Sequence, residues 1–367
     1  MRVIVMESPQ YAEKIARCVS LKWPGEVLIL LVCHSYILTD MCLPHDTPYA
    51  DYPVIGEPKL RPFLKRNGSE RSFFRGFRVG ADNLLERLSL SFAETKGLLN
   101  RVDNIMCVSH GGHSGALGFV SLLQMMSADL LDKPCELIMM ESGTDMESVE
   151  RDFSKLLYTD NERFSTLVNA GRVKQYFDYN WAVNSVAILG HLYRKVMHTS
   201  DPIFISKNAL QVFFYIDEKK TITEFWMEAA MAPRFWRGTG DFEGYESQYL
   251  FGLGSPASRD RILEQLHSMG LISLETYGSI NSEHAGLHSL ETKHYALTEA
   301  GLKFHAELHE SARDHNLPFR LDQWMRMPLE CAIPEMIHYL GRLFKNQKKF
   351  QISLAGMPDD CRSVSLG

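Results

Sequence analysis

The sequence predicts an α/β protein in two parts, a parallel-sheet domain over residues 1–150 packed on a mainly helical domain over residues 151–367. Three observations predict it. Short apolar runs at 3–6, 27–33, 105–108 and 136–140 have the length of buried strands, and helical stretches separate them. From about residue 145 the apolar period becomes helical. Residues 252–312 then read as a helix, a hairpin and a closing helix.

The first run, Val3 to Met6, ends in Glu7-Ser8-Pro9, and Ala12, Ile15, Ala16 and Val19 follow at helical spacing. A strand that delivers a carboxylate at its C-terminal end, just before a helix, is where open α/β sheets put their sites. A solvated Glu in an ordinary βα turn accounts for the same residues. The second strand ends in Cys33-His34, and the fourth leads to Thr144 as a helix N-cap. Helices are expected at 149–157, 164–168, 177–196 and 205–225. A linker or exposed loop is expected at 232–251, and helix again at 318–350 before a loose tail. Ser255 suits an N-cap and Pro256 the first helical position. Ile262, Leu263, Leu266 and Met269 keep helical spacing, and Gly270 is placed to end the helix. The hairpin spans 271–297, with a polar tip at 279–289.

With 45% hydrophobic and 23% charged residues, the 367-residue chain has the composition of an ordinary soluble globular protein. Its net charge of −6 argues against a generic nucleic-acid coat, so a nucleic-acid binder of this composition needs a local basic surface. Seven scattered cysteines without a C-x-x-C pair favour reduced thiols in a cytoplasmic protein and argue against zinc ribbons. No signal peptide or membrane span is expected, because Glu7 interrupts the first apolar run and no run approaches spanning length.

Gly252-Leu253-Gly254-Ser255-Pro256-Ala257-Ser258-Arg259 reads by itself as a capped surface helix. It also resembles the Gly-[Ile/Leu]-Gly-[Ser/Thr]-Pro-Ala-[Ser/Thr]-Arg segment of type IA DNA topoisomerases. There a helix start with a Ser/Thr and an Arg lies beside single-stranded DNA, a natural phosphate site. Other stretches fall in that family's order. Glu7-Ser8-Pro9 is similar to the end of the first strand of a toprim domain. Residues 49–62 resemble its tyrosine- and proline-marked loop, and 169–184 its basic-x-x-x-Asp-aromatic helix. Residues 205–225 resemble its Gly-Arg-Val-Gln helix, and Leu297-Thr298-Glu299-Ala300-Gly301 its Pro-Thr-Glu-x-Gly. The resemblance implies an α/β toprim-like parallel-sheet domain on a mainly α domain with a winged helix at 252–312. It weakens over 63–99.

Two departures shape the functional expectation. In toprim domains the third strand ends in Asp-x-Asp-x-Glu-Gly, which with the first-strand Glu holds Mg²⁺. Here the stretch is His110-Gly111-Gly112-His113-Ser114-Gly115, so His110, Gly112 and Ser114 replace the three acids and Glu7 alone survives. Mg²⁺ wants anionic oxygens, so no metal or other cofactor is expected. The family's nucleophilic tyrosine domain is also missing. Only residues 226–251 separate the flanking landmarks, too few for a domain, and neither Tyr245 nor Tyr249 sits in a Tyr-[Pro/Met]-Arg-[Thr/Ser]-Asp motif.

What survives of the resemblance implies contact with single-stranded DNA through Lys174, Asp178, Asn208, Ser258 and Arg259. The match at Asn208 is imperfect, because Ile205 and Ser206 replace the Gly and Arg. Basic and aromatic residues also interleave from Lys59 to Arg78, which suits single strands but equally a solvated loop over buried phenylalanines. The expectation is a non-cleaving DNA-binding protein, an accessory factor or a subunit with a protein partner. Three alternatives stay open. Gly112-His113-Ser114-Gly115-Ala116 approximates a G-x-S-x-G nucleophile elbow, with Ala116 in place of the last Gly. His34, His110 and His113 with Glu7 make a zinc-type donor set for a metal-dependent nuclease. A protein-binding relic would carry the same residues.

Overall fold

The computed structural model describes residues 2–6, 12–22, 27–31, 47–58, 74–79, 85–102, 104–110, 112–132, 135–140, 145–201, 203–219, 221–223, 259–277, 292–314 and 316–355. The chain forms two compact units. One holds 1–41, 57–176 and 325–332, the other 42–56, 177–324 and 333–367.

The first unit is built on a mixed sheet, seven-stranded among the described residues. Its elements are β1 (Arg2–Met6), α1 (Ala12–Lys22), β2 (Val27–Leu31), β3 (Phe74–Val79), β4 (Leu85–Leu90), α2 (Phe92–Arg101), β5 (Asn104–His110), α3 (His113–Met126), β6 (Glu136–Met140), α4 (Met146–Phe153) and β7 (Leu157–Tyr158). They are followed by the start of α5 (Glu162–Asn184). The strand order is β4-β3-β2-β1-β5-β6-β7. Strands β2, β1, β5 and β6 are parallel, and β3, β4 and β7 add antiparallel edges. The parallel core is as the sequence predicts, and the antiparallel edges go beyond it. Strand β1 lies at the centre, with Val3 to Met6 all buried, as expected of a strand covered on both faces.

Helix α1 turns Ala12, Ile15, Ala16 and Val19 into a core shared with Ile4, Met6, Ile29, Val108 and Ile138. A fully buried Ile or Val of this kind contributes about 1.5–3 kcal/mol. Helix α2 opens with a capping box. Ser91 Oγ accepts from Glu94 N at 3.2 Å, and Ser91 N donates to the Glu94 carboxylate at 2.7 Å. Hydrogen bonds donated to it by the Ser91 backbone and then the Ser91 side chain hold the Glu94 carboxyl below its ordinary pKa. Helix α4 is capped by Asp145, whose carboxylate accepts from Ser148 N at 2.9 Å, rather than by Thr144, which is outside the described residues. The cap shifts one place because Asp145 is the residue three before Ser148, whose N–H is otherwise left free at the helix start.

Several expectations are corrected. The weakly patterned region contains the β3–β4 hairpin. Arg78, expected within a cationic stretch for DNA, faces Glu86 across that hairpin at 3.3 Å, and Phe77 is half-buried against the core. Lys59 to Phe73 lie outside the described residues. The separate helices at 164–168 and 177–196 are one run: α5 continues through a π-helical turn (Ser185–Leu189) into α6 (Gly190–Met197). The helix expected over 205–225 is α7 (Lys207–Lys219), and β8 (Thr221–Thr223) follows because the chain there pairs with a hairpin strand.

The second unit continues with α8 (Arg259–Ser268), β9 (Ile272–Tyr277), β10 (Thr292–Leu297), α9 (Glu299–Ala306), α10 (Leu317–Arg326) and α11 (Leu329–Ala355), the last beginning in the first unit. Strands β8, β10 and β9 form an antiparallel sheet in that order. The hairpin tip at 279–289 lies outside the described residues. Gly270 ends α8 with φ +69°, the left-handed conformation glycine adopts without penalty. Leu271 N then returns to Leu266 O at 3.1 Å and Gly270 N to His267 O at 2.8 Å, a Schellman stop. An aromatic core of Tyr193, Phe213 and Phe304 packs edge to face beneath these elements.

Two asparagines hold residues 47–56 against α5. Asn184 accepts from Val54 N at 2.8 Å and donates to Val54 O at 2.7 Å, and Asn180 makes the same two-way pair with Gly56 at 2.8 and 2.9 Å. Tyr49 donates to Gln351 at 2.9 Å, and Lys348 donates to the carbonyls of Ala50 and Tyr52. The backbone groups of Val54 and Gly56 and the carbonyls of Ala50 and Tyr52 are thereby satisfied without a strand.

Candidate functional site

In the first unit the chain passes from β1 to β2 on one side of β1 and returns to β5 on the other. The C-terminal ends of β1 and β5 are therefore a topological switch point, where open α/β sheets leave a crevice. Met6 pairs with Val108, and β5 runs on to His110. Glu7, the next residue after β1, lies outside the described residues. Gly112 is the N-cap of α3, and His113 and Ser114 are its first two residues, both half-buried. Four of the five residues expected at this site thus share one strand–turn–helix, because β5 and α3 are consecutive.

The chemistry at this turn is that of a neutral helix start. No acid lies in the first turn of α3, and Gly112 offers no side-chain cap. The positive end of a helix dipole with no carboxylate in its first turn suits an anion better than Mg²⁺. Among the described residues no group of three His, Cys, Asp or Glu could hold a metal ion. Helix α5 closes one side through Gly171, where an added Cβ would stand 2.7 Å from His113 O and 2.8 Å from Leu117 Cβ. Ser114 is a helical residue inside α3. A nucleophile-elbow serine instead occupies the strained turn itself, and the one non-glycine residue with positive φ among those described is His198.

A cleft of about 330 Å³ opens on the same unit between α3, α5 and the start of β6. Its walls are apolar, from Phe119, Leu123, Leu131, Phe164 and Val168. Its polar groups are largely spent on backbone. Thr159 accepts from Cys135 N, Ser165 donates to Glu162 O, and Asn169 bonds both Met327 O and Leu329 N.

The residues expected at DNA fall in both units. Lys174 lies on α5 in the first unit, half-buried. In the second unit Asp178 pairs with Lys207 at 2.5 Å, and the Lys207 ammonium also sits 5.5 Å from the centre of the Phe177 ring. The pair neutralises the Asp178 carboxylate and fixes a cation at the start of α7. Asn208 follows Lys207 there, half-buried, and the Ser206 hydroxyl caps the turn by accepting from Ala209 N at 3.0 Å. Arg259 is the first residue of α8, and Ser258 lies outside the described residues. Helix α8 is tied to the chain just before α7, since Gln265 donates to Phe204 O at 2.8 Å. Asp178 and Asn208 thus meet one corner of this unit, and α8 packs against α7. Lys207 is the functional candidate that sequence reasoning missed. Its signal was a lysine immediately after an N-capping serine.

No protein-family model and no curated protein matches this chain.

Proposed function

We propose that the chain is a non-cleaving DNA-binding protein derived from a type IA topoisomerase core, specific for single strands and acting as an accessory factor or subunit. The first unit is read as a toprim-like domain and the second as a winged helix on a helical base. The observation that carries this reading is the arrangement around α8. The helix begins at the end of the Gly252-to-Arg259 segment, stops at Gly270 in the left-handed conformation, and feeds a hairpin whose far strand leads to the Thr298 cap of α9. The preceding order, α7 then β8, with β8 pairing β10 and β10 pairing β9, supports a winged helix. In helix-turn-helix relatives of that arrangement the N-terminal residues of the corresponding helix meet nucleic acid, which gives Arg259 its role. At the β5–α3 turn, glycine and hydroxyl donors in place of carboxylates support retained phosphate contact without metal-dependent cleavage.

Fluorescence anisotropy with labelled single- and double-stranded oligonucleotides tests this. The single strand is expected to bind more tightly, with affinity falling steeply as salt rises. Arg259→Ala is expected to weaken binding by about 1–2 kcal/mol, the loss of one charged hydrogen bond to phosphate. Lys174→Ala, measured beside it, is expected to weaken binding as well. No relaxation of supercoiled DNA is expected, with or without Mg²⁺. Absence of single-strand binding at low salt, or robust relaxation abolished by Glu7→Ala, would sink the reading.

A further inference from the structure

We infer that the outer face of α11 is the surface that tracks the phosphates of single-stranded nucleic acid, an inference that rests on the DNA-binding function proposed above. A chain of net charge −6 has no Asp or Glu at all between Glu335 and Asp359, and the same stretch carries Arg342, Lys345, Lys348 and Lys349. The fold sorts these four cations. Lys348 turns inward, donating to Ala50 O and Tyr52 O and lying 5.4 Å from the centre of the Tyr49 ring. His338, Arg342, Lys345 and Lys349 are exposed. Their steps of four, three and four residues put them on one helical face, opposite buried Leu340, Phe344, Gln347 and Gln351.

Among the described residues the outward cations are not in surface ion pairs, and Arg342 acts only on the Tyr339 hydroxyl, which Asp314 also approaches. Elsewhere in the same unit Lys195 meets Glu307, Lys207 meets Asp178, Lys303 meets Glu299 and Arg320 meets Asp314. Among the described residues no carboxylate pairs with Arg342, Lys345 or Lys349. The helix dipole does not explain them either. Its effect fades within the last turn, whereas Arg342 stands thirteen residues before the end of α11 at Ala355. Three cations without a carboxylate partner among the described residues, along about 10 Å of one helix, form the local basic surface that an acidic nucleic-acid binder needs.

The test uses the full chain and a fluorescein-labelled oligo-dT of twenty nucleotides, titrated from 50 to 300 mM salt. The charge-removal variant is Arg342→Gln with Lys345→Gln and Lys349→Gln. A control removes the same charge from exposed positions of the other unit, Arg87→Gln with Lys96→Gln and Arg101→Gln. Counterion release of about 0.7 per neutralised phosphate predicts that the α11 variant lowers the slope of log affinity against log salt by about 2. Affinity at 0.1 M salt should then fall about 100-fold, while the control keeps the wild-type slope. Thermal unfolding of both variants is expected to match wild type, because the altered side chains are exposed. If wild type binds and the α11 variant keeps its slope, or the control loses as much, the inference is overturned and the DNA-binding function stands. If wild type binds no oligo-dT, both fall. Stripe-dependent binding of poly-L-glutamate without oligo-dT binding would assign the face to an acidic protein instead.

Discussion

Gly301→Ala is expected to destabilise the second unit by about 3 kcal/mol or more, read as a lower urea midpoint with an unchanged slope. An alanine Cβ there would stand 2.1 Å from the carbonyl oxygen of Leu271 and 3.1 Å from its carbonyl carbon. A flexible side chain could move aside, but this is backbone held from both directions. Leu271 O accepts from Thr298 N at 3.1 Å, and Leu271 N is committed to Leu266 O. Thr298 Oγ1 adds a third tie, donating to Gly270 O at 2.6 Å while accepting from Gly301 N at 2.9 Å. The end of α8, the start of α9 and the base of the hairpin therefore meet at one joint that has no room for a methyl group. Relief would cost either the α9 cap, typically about 1 kcal/mol, or the Schellman stop, and overpacking adds about 1–3 kcal/mol. Gly341→Ala makes the matched comparison. It sits inside α11 with nothing within 4 Å of the added Cβ, so a gain of about 0.5–1 kcal/mol is expected from helix propensity. Equal midpoints for the two variants would show that the joint at Leu271 yields.

What could be read from the sequence follows from how local each signal is. The strands at Val3, Ile105 and Leu137 were legible because buried parallel strands are continuous apolar runs, and the Gly270 stop because the chemistry that ends a helix is set within a few residues. The β3–β4 hairpin was not legible. In Phe74–Val79 the alternation is broken by Gly76, whose absent side chain lets Ile29 O approach, to 2.8 Å of where a Cβ would lie. Strand β4 is an edge strand, with Glu86, Arg87 and Ser89 all exposed. Strand β8 extends the helical pattern by three residues and exists through its partner β10, a pairing more than seventy residues away. At the candidate site the β5–α3 turn was legible because its residues are consecutive. The Asp178–Lys207 pair joins two helices, and no spacing rule connects positions twenty-nine residues apart.

The same limit applies to Asn180 and Asn184, and it sets up the other large effect. Two asparagines four residues apart, both fully buried, must find partners or cost the helix its stability. Asn184 finds three, Val54 N and O on the loop and Asn180 O on its own helix at 2.8 Å. Asn184→Ala removes all three at once and strands the Val54 N–H and C=O. At about 1–3 kcal/mol for each stranded group, the expected loss is about 3–5 kcal/mol. The position is sensitive because the π-helical turn begins at the next residue, where Ser185 Oγ donates to Ile205 O at 2.6 Å and Ile188 O accepts from Gln351. Amide hydrogen exchange is expected to quicken first over 47–58, with Val54 and Gly56 leading. Asn184→Asp separates lost hydrogen bonds from lost packing. An ionised carboxylate would face the carbonyls of Val54 and Asn180, so burial and those acceptors would raise its folded pKa above the unfolded value of about 3.9. Its stability relative to wild type at the same pH should therefore be greatest below that unfolded value. It should fall as pH rises from there through the raised folded pKa, and level off above it. Wild-type exchange over 47–58 in Asn184→Ala, or a pH-independent penalty in Asn184→Asp, would show that the loop is held by something other than this clasp.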